Sequence, residues 1–234
     1  MRDIHAHISF GIDDGAKTKE EAILILKNLE TKGVTDIILT PHYIENSTYM
    51  TNEEERRKII EELKLHTNIN LYIGNEVYVC DDILKLLQKK EISSLNNSRY
   101  LLMELPMHSK IRGLENIIYE LTRNNIIPVI AHPERYSYVQ KDPKYLDKYV
   151  EMGVLFQSNY GSVLGRYGRK VQKCVKYLLK NNYITFLGSD IHNLDQNYDE
   201  VKLLKKIKRI VKSDDKVKDL VDNNILKVIN NEEI

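Results

Sequence analysis

The chain has 234 residues, 42% hydrophobic and 29% charged, enough to bury the core of one domain. Its 35 basic and 34 acidic residues nearly cancel, which argues against a nucleic-acid or membrane-surface role driven by net charge. Cys80 and Cys174 are too few for a disulfide scaffold, no run reaches the roughly 18 apolar residues of a membrane span, and the first twenty residues lack an apolar signal core. A reduced, soluble cytoplasmic protein is expected.

In chain order, the first expected element is a strand ending in Asp3-Ile4-His5-Ala6-His7, followed by the carboxylates Asp13 and Asp14 in a turn at Gly15. Thr18 with Glu21 has capping-box form and Gly33 sits where a C′ glycine belongs, which predicts a helix of about four turns between them. A buried strand over 34–40 is broken by Pro41-His42, and Thr51 with Glu54 predicts a second capping box before a charged helix to about Leu65. Strands over 70–76, 99–105, 126–131, 154–158 and 184–188 then alternate with helices over 82–87, 114–124, 143–152 and 170–181. Two final helices, near 201–211 and 216–221, and with them the whole C-terminal segment of about 200–234, are expected to pack outside the barrel. Lys202, Lys205, Lys206, Lys208, Arg209 and Lys212 would be the solvated side of the first. Seven strands separated mostly by helices predict one domain over 1–234 with a parallel sheet, closed as a barrel or open and doubly wound.

The histidines and carboxylates fall on one edge of that frame. His5 and His7, His42, Glu76, Glu104, His132, and Asp190 with His192 all lie at or just past the C-terminal end of a predicted strand, where parallel barrels gather their active sites. In a strand, His5 and His7 project to the same face. Singly, each of these residues is as compatible with a hydrogen-bonded surface position; together they describe a metal site. Imidazoles mixed with carboxylates suit Mn, Fe or Zn, and two or three such ions about 3.5–4 Å apart neutralise phosphoryl oxygens and generate hydroxide at neutral pH. A phosphoester is the natural substrate class. Arg135, three residues past His132, has the bidentate geometry for a phosphate, and Asp13 or Asp14 could simply accept backbone N–H groups of the turn. A cysteine-based phosphatase needs a C-x5-R loop. Leu86 follows Cys80 at that distance and Lys180 follows Cys174, so neither fits.

These motifs carry a resemblance. His5-x-His7, Asp14, Thr40-Pro41-His42, Glu76, Ala131-His132-Pro133-Glu134-Arg135 and Ser189-Asp190-x-His192-Asn193 resemble the motifs of the PHP superfamily, named for polymerase and histidinol phosphatase. Asp13-Asp14-Gly15, Leu95-Asn96-Asn97-Ser98-Arg99-Tyr100 and Pro128-Val129-Ile130-Ala131 add similarity to bacterial metal-dependent protein-tyrosine phosphatases of capsule and exopolysaccharide clusters. The resemblance covers about residues 1–195. It implies a distorted (β/α)7 barrel of TIM type and a trinuclear manganese site: His5, His7, Glu76 and Asp190 on the first metal, Glu76 bridging to a second with Glu104 and His132, and Asp14, His42 and His192 on the third. It further implies Arg135, His42 and Asp190 as the catalytic set, direct attack of a metal-bound hydroxide on phosphorus, and a phosphotyrosine in the C-terminal tail of a cognate bacterial tyrosine kinase as substrate.

The chain departs from the family at Leu194-Asp195-Gln196-Asn197-Tyr198, where an arginine is often found. Either Arg112 or Arg166 replaces it at the phosphate, which is the expectation, or phosphate affinity is lower. The rival readings are another phosphoesterase of the superfamily, acting on histidinol phosphate or single-stranded DNA, and a metal-binding subunit that docks on a membrane kinase without turnover. Homo-oligomerisation is compatible with either.

Overall fold

The computed structural model describes residues 1–234. Nine strand segments occur: β1 (Arg2–Ala6), β2 (Asp36–Leu39), β3 (His42–Tyr43), β4 (Asn70–Ile73), β5 (Glu76–Tyr78), β6 (Tyr100–Glu104), β7 (Ile127–Ala131), β8 (Leu155–Asn159) and β9 (Phe186–Gly188). Every pairing is parallel, in the orders β1-β2-β4 and β3-β5-β6-β7-β8-β9. Only Thr40-Pro41 separates β2 from β3, and only Gly74-Asn75 separates β4 from β5. These pairs are two staves broken midway, the first where proline removes a ladder N–H. The seven predicted strands are thus present as seven staves. A bridge between Ala6 and Ile191, with His7 N–H donating to the Ile191 carbonyl at 2.9 Å, brings the last stave back to the first. The fold is a distorted seven-stave α/β barrel.

The helices are α1 (Lys19–Thr31), α2 (Glu53–Lys64), α3 (Ile83–Gln88), α4 (Leu114–Arg123), α5 (Ser137–Lys141), α6 (Asp147–Glu151), α7 (Tyr160–Leu164), α8 (Arg169–Lys180), α9 (Glu200–Val211), α10 (Asp214–Lys218) and α11 (Asn224–Ile229). Thr18 caps α1 by accepting the Glu21 N–H at 3.2 Å, but Glu21 reaches back to the Lys17 N–H, so the expected box is only half formed. The second box lies one residue later than predicted, on Asn52 and Glu55, because asparagine is the stronger N-cap. The predicted helix over 143–152 is a 3-10 turn, Pro143–Leu146, running into α6.

Side chains alternate between two surfaces of the barrel. Leu101 and Met103 face α3 and α4, whereas Tyr100 and Leu102 join Ile4, Ile38, Val129, Ala131 and Phe186 in an inward-facing set. Ile225 and Val228, both fully buried, belong to that inward set. The expectation that the C-terminal helices pack outside is therefore corrected for α11, which plugs the end of the barrel where the strands begin. Its neighbours fasten it there: Tyr100 Oη donates to the Glu232 carbonyl at 2.6 Å, and Asn96 Nδ2 to the Ile229 carbonyl at 3.0 Å. Burying each such aliphatic side chain stabilises by roughly 1.5–3 kcal/mol. The helical tail also extends beyond the predicted 216–221, through a π turn at Asp219–Asn223. No helix is long and apolar enough to cross a membrane.

Candidate metal centre

The opposite end of the barrel is polar. The β1–β2 register slips between Asp3 and Ala6, and past that slip His5 and His7 both turn into the open end, fully buried. The turn after them folds back so tightly that a Cβ on Gly15 would lie 2.1 Å from the His7 carbonyl oxygen, so only glycine fits. His132 and Asp190, just beyond β7 and β9, have left-handed backbones with φ of 32° and 52°. Non-glycine residues hold such angles only where surrounding structure forces them, often at functional sites.

Second partners fix the imidazoles. His7 Nδ1 donates to Asp13 Oδ2 at 2.7 Å, and His5 Nδ1 to Gln157 Oε1 at 2.9 Å. Each neutral ring is then left with a lone pair on Nε2. Those two Nε2 atoms face each other at 3.0 Å, with Glu76 Oε2 3.2 and 3.3 Å away and Asp190 Oδ1 3.5 Å from both. Only an intervening proton or cation makes that arrangement attractive. Glu76 Oε2 also lies 3.1 Å from His42 Nδ1 without hydrogen-bond geometry, and neither buried atom has another partner. The residues thus fit divalent cations, and the mixture of imidazole and carboxylate suits Mn, Fe or Zn.

The donor atoms cluster as His5, His7 and Asp190; His5, Glu76 and His132; His42, Glu76 and Glu104; and His7, Asp14, His42 and His192, each set within 4.8 Å. All nine residues expected at the metals are therefore together. The partition differs slightly from that expected: His7 also faces the Asp14 group, and Glu104 shares a set with His42 as well as lying 3.8 Å from His132.

Charge sets the protonation of the metal-free cluster. Burial disfavours a charged His5, but Glu76 and Asp190 outweigh it and push the imidazole up to about 9. Burial and then the Glu76 carboxylate push Glu104 up to about 7. Asp190 is held below the usual carboxylate range despite burial, because His5, His132, His7 and His192 surround it. His192 holds the half-buried Asp14 low, through a hydrogen bond that outweighs desolvation.

Above the cluster opens a cavity of about 390 Å³ lined by Asp14, His42, Glu76, Glu104, His132, Arg135, Tyr167, Asp190, His192, Asn193 and Gln196. Arg135 reaches it with Nη1 3.1 Å from Asp190 Oδ2, and its guanidinium lies 4.9 Å from the Tyr167 ring centre. Arg112 does not line this cavity; it is exposed in the loop before α4. Arg166, also exposed, spends its guanidinium on the Asn197 carbonyl at 2.9 Å. Neither supplies the expected replacement arginine, since the position of a loop after a strand does not fix which way its side chains point. Asp13 and Asp14 separate cleanly: Asp14 faces the cavity, while Asp13 accepts from His7 and from the Gly15 and His42 N–H groups. Sequence reasoning missed Gln157, Asn159, Tyr167, Asn193 and Gln196. Gln157 and Asn159 were findable, because they stand at i, i+2 at the end of β8 as His5 and His7 do at the end of β1.

Comparison with known proteins agrees with this geometry. The family model for capsular polysaccharide synthesis, CpsB/CapC, matches residues 1–230. The tyrosine-protein phosphatase CpsB of Streptococcus pneumoniae is 34% identical over 207 residues, covering 83% of this chain and 84% of that protein. The tyrosine-protein phosphatase YwqE of Bacillus subtilis is 33% identical over 199 residues, covering 83% and 78%. A crystal structure of the metal-dependent tyrosine phosphatases YwqE of B. subtilis and CpsB of S. pneumoniae superposes with a TM-score of 0.93 at 29% identity, covering 100% of this chain and 96% of the other. A probable 2-pyrone-4,6-dicarboxylic acid hydrolase from Acinetobacter baumannii, 18% identical with a TM-score of 0.56, shares the fold alone.

Proposed function

The chain belongs to the CpsB/CapC family of capsular polysaccharide synthesis, and from that premise we propose that it hydrolyses phosphotyrosine in a reaction dependent on divalent metal. The observation that carries the metal dependence is the pair of His5 and His7 Nε2 atoms facing each other at 3.0 Å between two carboxylates. We further infer that manganese is the metal and that the substrate tyrosine lies in the tail of a cognate bacterial tyrosine kinase controlling capsule or exopolysaccharide synthesis. The relatives' activity and the mixed donor set support this. Two unpaired cysteines support action in the reducing cytoplasm.

In this reading His5, His7, Asp14, His42, Glu76, Glu104, His132, Asp190 and His192 hold the ions. Bound there, the ions would neutralise phosphoryl oxygens and lower the pKa of water to supply a nucleophile. Arg135 grips the phosphoryl group and stabilises the charge that develops on it, a task suited to a fixed guanidinium in a partly dry cavity. Asp190, 3.1 Å from Arg135 Nη1, and Tyr167 beneath it hold that guanidinium in place. His42 sits with Asp14 and His192 on the far side of the cavity, 3.5 Å from Asp14, where it orients the third set of donors. No cysteine takes part: desolvation pushes the Cys80 thiol up to about 11 and the Cys174 thiol up to about 12, so neither is a thiolate at neutral pH.

The test is phosphate release from a tyrosine-phosphorylated kinase-tail peptide, beside histidinol phosphate and single-stranded DNA, with manganese and then with chelator. Manganese-dependent release from the peptide, insensitive to thiol alkylation, is the expected result. Preferential turnover of histidinol phosphate would keep the metal centre and refute the substrate.

A further inference from the structure

A second concavity, of about 600 Å³, lies between α5 and α8, which both pack against the Pro133–Arg135 turn, and is lined by Lys141, Lys144, Lys170 and Lys173 with one acidic side chain, Asp142. The chain as a whole is nearly neutral, so this concentration of charge is local. None of the four lysines is in an ion pair, although lysines elsewhere on the surface are. Asp142 gives its carboxylate to the Lys144 backbone N–H at 3.2 Å and so caps a turn. On one wall, Lys170, Lys173, Cys174 and Tyr177 form a single face of α8. That helix starts with Arg169 and Lys170 in its first turn, with no acidic residue there and no side-chain cap. Cations at a helix N-terminus oppose the macrodipole, so the wall is unfavourable until an anion lies against it.

Both walls begin in chain segments that follow residues of the catalytic cavity. One leaves from Arg135, whose carbonyl accepts from Gln140 Nε2 at 3.1 Å, and continues through Ser137, Gln140 and Lys141. The other leaves from Tyr167, beneath the Arg135 guanidinium, and continues along α8. The groove and Arg135 thus flank the same Pro133–Arg135 turn, over which a polypeptide with its phosphotyrosine at Arg135 would pass to reach the lysines. From Arg169 to Tyr177 α8 rises roughly 12 Å, the reach of about four extended residues.

We propose that this groove binds acidic residues within about five positions of the phosphotyrosine, on one side of it, and so selects the substrate sequence. The proposal rests on the phosphotyrosine-hydrolase reading above. A concave groove fits an extended acidic peptide better than a flat anionic lipid surface, which it could touch only at its rim.

The experiment compares phosphotyrosine peptides with acidic residues on the N-terminal side, on the C-terminal side, or on neither, with p-nitrophenyl phosphate as a substrate too small to reach the groove. The wild type is expected to prefer one acidic peptide about tenfold in kcat/KM, mostly through KM, and to lose that preference at high salt. The variant Lys144→Glu/Lys170→Glu/Lys173→Glu is expected to abolish the preference with p-nitrophenyl phosphate turnover unchanged. Equal turnover of all three peptides by the wild type would overturn the proposal, as would an equal loss on p-nitrophenyl phosphate in the variant. Anisotropy of a labelled acidic peptide carrying a non-hydrolysable phosphonate decides the groove independently of turnover: unchanged affinity in the variant sinks it even if the phosphatase reading fails. Sedimentation with phosphatidylglycerol vesicles that needs the lysines, without any peptide preference, would assign the surface to membrane instead.

Discussion

Replacing Asp13 by asparagine changes one atom and tests whether the shell behind the ligands sets metal affinity. Asp13 Oδ2 accepts from His7 Nδ1 at 2.7 Å and from the His42 N–H at 3.0 Å, and Oδ1 accepts from the Gly15 N–H at 2.9 Å. The carboxylate therefore meets three donors and no acceptor. Asparagine has one acceptor, so its NH2 must face either the Gly15 N–H or the pair from His7 and His42; the first placement orphans fewer groups. An unsatisfied buried donor is worth about 1–3 kcal/mol of stability. The surviving bond to His7 loses its negative acceptor, and charge-assisted bonds are about twice as strong as neutral ones. Outer-shell substitutions of this kind typically weaken metal binding by about 10–100-fold, which is about 1.4–2.7 kcal/mol. Isothermal titration of the metal-free protein with manganese is the assay, with Asp13→Ala as the variant that removes both acceptor oxygens and all three hydrogen bonds. Wild-type manganese affinity in both variants, with only the melting temperature lowered, would show that Asp13 shapes the turn and does not tune His7.

Five further outcomes follow. Metal uptake must displace the proton that holds His5 up at about 9, so apparent manganese affinity is expected to rise with pH to about 9; titration in buffers of different ionisation enthalpy counts the protons released. By the same shift, stability of the chelated protein that is present below pH 6.5 is expected to be lost as pH rises toward 9, read as a falling melting temperature; a rising one would contradict it. Gly15→Ala drives a methyl group into the His7 carbonyl, where no rotamer relieves it, and is expected to cost about 3 kcal/mol and most metal binding, measured by denaturant unfolding and titration. Arg135→Lys replaces a planar fork by a point charge and is expected to lower kcat/KM on phosphotyrosine about 100-fold with manganese affinity retained. Finally, Arg56 is 1% exposed and bonds the Glu91 carbonyl and Ser93 Oγ, each at 3.0 Å. Arg56→Met is expected to destabilise by about 3 kcal/mol, with catalysis at permissive temperature unchanged.

The parts of the site legible in the sequence were those with a titratable signature at a strand end. His5 and His7 announced themselves by spacing, and Glu76, Glu104, His132 and Asp190 by their place after apolar runs. Gln157 and Asn159 have no such signature, yet the first orders His5 and the second reaches Asp190. Arg112 and Arg166 show the converse failure, a plausible residue type in a plausible loop whose direction only tertiary packing decides. The five-residue helices α5 and α7 are too short to present a period. In α11, Ile225 and Val228 have helical spacing, but periodicity reports that a face is buried and is silent on which surface buries it.

The division of the barrel explains why the centre tolerates so much like charge at close range. Four carboxylates and five imidazoles share one end, and in the metal-free state the protons on His5 and Glu104 partly neutralise it. That arrangement is not self-stabilising, since paired buried charges often fail to recover their own desolvation. Stability must come from elsewhere in the same barrel, from the large core that packs the strands and the helices together and from the inward-facing apolar set closed by Ile225 and Val228. The two ends are joined along single strands: Tyr100 and Leu102 lie on the dry part of β6 and Glu104 on its wet end. Loosening the plug should therefore loosen the ligands. Val228→Ala leaves every donor atom in place; it is expected to lower the melting temperature of the chelated protein and to weaken manganese binding, so that manganese, which stabilises the folded state by mass action, raises the variant's melting temperature less than the wild type's. Equal losses with and without manganese would mean the two ends are energetically independent.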